Sequence, residues 1–295
     1  MSTIAQPHPG PSLGRRMLNK VPEVTLFFWV IKIMCTTVGE TAADYLNDSL
    51  GFGLTNTTVV AGALLVVLLA AQFKVRRYVP PLYWSVVVVI SVFGTLITDN
   101  LTDRFNVPLT LSTAVFAVIL ASVFGVWYAV ERTLSIHTIV TSRREAFYWL
   151  AILFTFALGT AAGDLVAEQF SLGYWVSALI FGGIIAAITA AHYGLKLNAV
   201  LSFWLAYILT RPLGASIGDG LSQTHKDGGL GLGTTGTSYL FLSAILLLVA
   251  FLSITKRDQT PPERIEAELS EPHGGHAHHP HGHRGGAPRV AEQEG

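Results

Sequence analysis

Charge is scarce in this chain: Asp, Glu, Lys and Arg make up 13% of 295 residues, where a soluble domain carries about a quarter. There is one cysteine, Cys35, which excludes an intramolecular disulfide, and it lies in an apolar stretch where it reads as a small buried hydrophobe. No Gly-x4-Gly-Lys-Ser/Thr loop is present, so the chain by itself has no ATP-driven chemistry of that type. No apolar run with a small-residue cleavage site follows the polar first 19 residues, which argues against a cleaved signal peptide. Lys+Arg and Asp+Glu balance at 19 each, which by itself says nothing about nucleic acid or acidic substrates, and no nucleic-acid partner is expected. What fills the sequence instead is hydrophobic residues, at 51%, with a mean hydropathy of +0.50. The partner those values imply is a lipid bilayer.

Eight apolar stretches are long enough to cross it, at about 24–44, 57–73, 82–100, 109–129, 147–165, 174–192, 199–218 and 238–255. Arg211 and Pro212 make the seventh the weakest of them. Basic residues collect in alternate connections: Arg15, Arg16 and Lys20; Lys74, Arg76 and Arg77; Arg132, Arg143 and Arg144; Lys196; Lys256 and Arg257. The other connections hold Arg104 and Lys226 alone. The positive-inside rule then puts both termini in the cytoplasm, which agrees with an even number of spans.

Inside the spans one pattern recurs four times: an aromatic, Trp, nine residues, Gly, four residues, Asp. The copies are Phe28-Trp29…Gly39…Asp44, Tyr83-Trp84…Gly94…Asp99, Tyr148-Trp149…Gly159…Asp164 and Phe203-Trp204…Gly214…Asp219. Each lies in the first span of a pair. The expected fold is therefore an all-α integral membrane protein, eight transmembrane helices arranged as four parallel two-helix repeats. A cytoplasmic N-terminal tail over 1–19 precedes a membrane domain over 20–257, with repeats at about 20–75, 76–140, 141–195 and 196–257. A His-rich cytoplasmic tail over 258–295 follows.

The tryptophans read as an interfacial aromatic belt beside the basic residues. Fifteen residues of helix rise about 22 Å, which places the four aspartates at one depth, short of the opposite boundary. A carboxylate at a span centre costs about 2.5–3.5 kcal/mol on insertion scales, so four of them call for a partner. The residue after each motif Gly is Glu40, Thr95, Thr160 or Ala215, four before the Asp and on its face; Asp48, Asp103 and Glu168 follow four after it, with Gln223 in the last copy. The small residues Gly39, Gly94, Gly159 and Gly214 let the helices approach closely. The expectation is a ring of hard oxygen ligands, Asp44, Asp99, Asp164 and Asp219 with Glu40, Thr95 and Thr160, topped by the outer acids. Such a ring suits a divalent metal ion or protons. Arg211 and Lys32 are the intramembrane counter-charges, Arg211 as a static counter-ion and Lys32 snorkelling toward the cytoplasm. In the tail His273, His276, His278, His279, His281 and His283 form a tract that suits borderline metals. The glycine-rich connection after His225 reads as a flexible loop.

From Lys20-Val-Pro-Glu-Val-Thr-Leu-Phe-Phe-Trp29 through Thr36-Thr37-Val-Gly39-Glu40-Thr-Ala-Ala-Asp44, the sequence resembles a bacterial inner-membrane family, the domain-of-unknown-function 347 repeat proteins. The resemblance implies a bacterial, inner-membrane, multi-pass protein of four repeats and brings no substrate. From the residues, the leading expectation is a transporter for a divalent, Mn-like cation, exporting it in exchange for protons through the ring. A proton-coupled carrier of a small organic solute is the alternative, and a non-transporting structural protein a third. Catalytic residues are not expected: an intramembrane aspartyl protease would need Gly-x-Gly-Asp, and Ala161-Ala162-Gly163-Asp164 and Ser216-Ile217-Gly218-Asp219 lack it. The pattern also admits a homo-oligomer.

Overall fold

The computed structural model describes residues 19–259, the side chain of Asp48 excepted. Among the described residues it has eight long helices and no strand: α1 (Leu26–Asp44), α2 (Gly53–Lys74), α3 (Pro80–Asp99), α4 (Leu109–Glu131), α5 (Ser142–Asp164), α6 (Tyr174–Leu195), α7 (Ala199–Ser222) and α8 (Gly233–Thr255). All eight are long and apolar enough to span a membrane, and the protein is a multi-pass membrane protein. The helix starts follow local chemistry. Thr25 caps α1 by accepting from the Phe28 amide, Thr141 caps α5 and Asn198 caps α7, while Pro80 and Pro81 occupy the first turn of α3. Pro212 does not end the seventh span, which runs unbroken to Ser222.

The helices form two layers. The odd-numbered ones are inner, with 50–61% of their spanning residues buried, against 11–28% for the even-numbered ones, whose apolar surfaces are left for lipid. The inner helices contact one another in a closed cycle, α1 to α3, α3 to α5, α5 to α7 and α7 back to α1. The outer helix of each repeat packs on the inner helix of the next: α2 on α3, α4 on α5, α6 on α7, and α8 on α1. The cycle is thus closed twice over, by α7 and by α8 on α1.

Two sequence features make the cycle fit. An added Cβ at each motif glycine would collide with one residue of the following repeat: Gly39 with Ser91, Gly94 with Phe156, Gly159 with Arg211 and Gly214 with Thr36. Those four residues all stand seven places after a motif tryptophan, so one contact is repeated around the axis. Likewise, the aromatic before each motif Trp packs on the Trp of the next repeat: Phe28 on Trp84 at 5.7 Å, Tyr83 on Trp149 at 5.4 Å, Tyr148 on Trp204 at 6.2 Å and Phe203 on Trp29 at 5.7 Å between ring centroids. Each such pair contributes about 0.5–1.5 kcal/mol beyond area burial. The tryptophans are therefore not lipid-facing anchors: Trp84, Trp149 and Trp204 are buried in the bundle and Trp29 is half-buried.

The connection after α7 is ordered rather than loose. A 3-10 turn, His225–Asp227, is followed by three amides, of Leu230, Gly231 and Leu232, that donate back to Gly220, Gln223 and Leu221 at the end of α7. Gly228, Gly231 and Gly233 take positive φ there, which is what the glycines supply.

Candidate functional site

The motif brings its polar residues to the axis in two tiers rather than one ring. The deeper tier is centred on Arg211, which is fully buried. Its guanidinium donates to Glu40 Oε2 at 2.8 Å, to Thr160 Oγ1 at 2.8 and 3.1 Å, to Thr95 Oγ1 and to the Thr36 carbonyl. Glu40, Thr95 and Thr160 are the three residues that follow a motif glycine. In the fourth repeat that position is Ala215, and the repeat supplies Arg211 instead. Three repeats thus furnish acceptors for a fork that the fourth donates. The five N–H groups of an arginine fit such a cradle, and the planar fork fixes its orientation. Arg211 is a counter-ion, as its sequence position implies, but to Glu40 and not to the aspartate ring.

The second tier holds the motif aspartates. Asp219 is 9% exposed, and Asp44, Asp99 and Asp164 are half-buried. Asp99 lies within electrostatic range of Glu40, Asp164 and Asp44, and Asp219 within range of Glu40, Asp44 and Asp164. The four repeats therefore do gather their carboxylates at one mouth. Among the described residues no donor hydrogen-bonds the side chains of Asp99, Asp164 or Asp219, and no three His, Cys, Asp or Glu side chains close into a group able to hold a metal ion. Glu40, Thr95 and Thr160 belong to the arginine tier and are not free to complete an oxygen cage above it.

The outer acids sit differently from a continuous α-helix. Directly after Asp44, Asp99 and Asp164 the backbone widens into π-helical turns, Tyr45–Ser49, Asn100–Arg104 and Leu165–Gln169. Such turns recur at functional sites because they break the regular hydrogen-bond ladder. They carry Asp103 and Glu168 into exposed positions at the rim, where each is within electrostatic range of the other. In the fourth repeat α7 stays α-helical to Ser222 and Gln223 caps it. The tail histidines, His273 to His283, lie outside the described residues.

Lys32 corrects the reading of a snorkelling lysine. It is fully buried, and its ammonium lies between the rings of Phe156 and Tyr207, 4.3 and 4.2 Å from their centroids. It donates to Thr210 Oγ1 at 3.3 Å, and no carboxylate pairs with it among the described residues. Below it the axis is closed by Phe28, Tyr83, Tyr148 and Tyr207, all fully buried, with the Tyr83 and Tyr148 hydroxyls 2.5 Å apart.

Two further polar clusters at the Trp end carried no sequence signal. Lys20 and Glu145 form a buried ion pair at 2.6 Å, joined by Gln72. Tyr78 donates to Asp258 Oδ2 at 2.6 Å and accepts from Trp84 Nε1 at 3.1 Å. Both link residues far apart in the chain, so no local pattern announces them. Arg211, by contrast, stands out in the sequence: aligning the copies puts Thr36, Ser91, Phe156 and Arg211 in one column, where a charge is the outlier.

The same four-part organisation appears on comparison with known families. The Repeat of Unknown Function (DUF347) matches at residues 27–78, 82–133, 147–197 and 202–258. The chain belongs to this family. Each match begins at or just before a motif tryptophan and covers an inner helix with the outer helix after it, so the DUF347 unit is the sequence repeat, while its helices pack across repeat boundaries. No curated protein and no solved structure matches the chain.

Proposed function

We propose that this DUF347 protein is a secondary carrier of a small organic solute, in which the tier of Asp44, Asp99, Asp164 and Asp219 takes up and releases the coupling proton. The observation that carries this reading is the convergence of four acids, three of which (Asp99, Asp164 and Asp219) accept no hydrogen bond among the described residues, beside one guanidinium that is already satisfied. Clustered carboxylates in a low-dielectric site resist simultaneous ionisation, so they exchange protons with the mouth they face. The aromatic closure by Phe28, Tyr83, Tyr148 and Tyr207 below them supports a carrier rather than an open channel. A cavity of about 550 Å³ toward the Trp end, between α1, α6, α7 and the Leu134–His137 connection and away from the aspartate tier, is bordered by Trp29, Ile33, Phe203 and Thr210; it gives a solute room beside the axis and lies within the range typical of ligand sites.

A second reading keeps the same tier and makes a divalent cation the cargo, favoured by four carboxylates from four helices meeting at one depth. Calorimetry of the full chain in two buffers of different ionisation enthalpy separates the readings. Its partner is the Asp99→Asn/Asp164→Asn variant, and the titrants are Mn²⁺ and Mg²⁺. Metal binding with proton release that vanishes in the variant favours the cation reading. Metal binding unaffected by the variant, together with proton uptake after a pH jump that the variant loses, favours the solute carrier. Loss of neither signal in the variant removes the tier from both.

A further inference from the structure

Titratable side chains run along the bundle axis on both sides of Arg211. Toward the mouth stand Glu40 and the aspartate tier, with Asp164 in electrostatic range of the guanidinium. Toward the Trp end stands Lys32, also in range of Arg211. Its ammonium touches the Tyr207 ring, and the Tyr207 hydroxyl, fully buried, has no hydrogen-bond partner among the described residues. Tyr207 is within range of Tyr148, whose hydroxyl shares a hydrogen bond with that of Tyr83. Tyr83 packs edge-on against Tyr78 at 5.6 Å, and Tyr78 donates to Asp258 at the end of the bundle. Every side chain in this string can lose or gain a proton except one. Arginine does not deprotonate in proteins, whereas lysine does so readily when buried.

We infer that Arg211 is the insulator of a split proton path, with Lys32 the innermost proton-bearing group of the half that opens at the Trp end. The inference rests on the proton-coupled reading above and adds the residue that keeps coupling tight. The surroundings of Lys32 support the assignment. Of its three N–H donors only one finds an acceptor, Thr210, and the rest face aromatic rings. The other charged or titratable groups that face it are Cys35 on α1 and Arg211 and Tyr207 on α7. The charged residues of α5 lie at its ends, α3 has Asp99 alone at its far end, and α8 has none. A lysine kept from every carboxylate, beside an arginine fixed by three repeats, is placed to hold a proton and not to neutralise the ring. Thr95 and Thr160 supply the guanidinium with oxygens that take no charge.

The deciding variant is Arg211→Lys, which keeps the positive charge and the Glu40 pair. A lysine there can pass its proton to the Glu40 carboxylate, become a neutral amine, and be recharged by the Lys32 ammonium, which is in turn recharged from the tyrosine side. Proteoliposomes holding the full chain and a trapped pH-sensitive dye are given an acid-outside pH gradient, without added solute. Wild type is expected to hold the gradient as well as protein-free vesicles. Arg211→Lys should dissipate it several-fold faster, and Arg211→Lys/Lys32→Met should return to the wild-type rate. Equal retention by wild type and a monodisperse Arg211→Lys overturns the inference, as does a double variant as leaky as the single one. Should Arg211→Lys not be monodisperse, Lys32→Met in the wild-type background is read for proton uptake after a pH jump from the Trp end. Unchanged uptake there also overturns it. The calorimetric variant Asp99→Asn/Asp164→Asn tests the aspartate tier separately, so the tier can lose its role while the leak persists, and the reverse.

Discussion

Arg211 stands where the other repeats have Thr36, Ser91 and Phe156, and its contacts assign a distinct task to each copy of a shared motif. Because Glu40 is the one carboxylate that forms an ion pair with it among the described residues, removing the acid leaves a buried cation without its pair. Glu40→Ala is expected to destabilise the protein by about 3–5 kcal/mol, measured as a lowered midpoint of thermal unfolding in detergent. Glycine is required at the motif by the close approach of the next helix. A Cβ on Gly94 would lie 2.6 Å from the Phe156 Cβ and 3.3 Å from the Ala157 amide nitrogen, neither of which can turn aside. Gly94→Ala should therefore cost about 1–3 kcal/mol through overpacking, while Gly125→Ala, with nothing within 4 Å, should leave the midpoint unchanged or raise it. The aspartates, Glu40 and Arg211 were all legible as site residues from spacing. Their division into two tiers was not, because spacing along one helix does not say which neighbour's side chain a hydroxyl will meet.

The outer helices share a device of their own. α4, α6 and α8 each end at a basic residue in the left-handed conformation, Arg132, Lys196 and Lys256, where the positive charge complements the helix C-terminus. Beyond α8, Asp258 is buried against Tyr78, and its backbone carbonyl accepts from the Glu23 amide, which ties the end of the last helix to the approach to the first. Burial pushes the Asp258 carboxyl above the usual range, by more than the Tyr78 hydroxyl draws it back. A folded state that holds this proton more tightly than the unfolded chain is favoured at low pH. That contribution is complete below the ordinary value of about 3.9 and is lost as pH rises through the raised one. Asp258→Asn should flatten the fall of unfolding midpoint over that interval; an unaltered pH profile would show that Asp258 does not titrate on unfolding.

The described residues form a cycle of four repeats in which α7 and α8 both pack on α1, and its two ends differ: aromatic at the tryptophans, acidic at the π-helical turns. The basic connections lie at the Trp end, and the positive-inside rule predicts that this end faces the cytoplasm. Reporter fusions after Lys74, Arg132 and Lys196 should be active as cytoplasmic green fluorescent protein, and fusions in the connections near Arg104 and Lys226 as exported alkaline phosphatase. The reverse pattern would invert the membrane sidedness of both half-paths. Which helix covers which could not be read from the repeat. A two-helix unit that packs on itself and one that packs on its successor have the same hydrophobic lengths and the same connection lengths.

By itself the sequence determined the number of spans, the fourfold repeat and the membrane-spanning class. These follow from helix rise, hydrophobic length and spacing, which are properties of one chain segment at a time. The tertiary structure decided the rest. It set the cyclic order of contacts, the burial of the tryptophans, the capture of Glu40, Thr95 and Thr160 by Arg211, and the enclosure of Lys32 between two rings. The last two depend on groups 51 to 178 residues apart meeting within hydrogen-bond or van der Waals distance, and such encounters are governed by how helices pack against one another, which no periodicity along a single helix encodes.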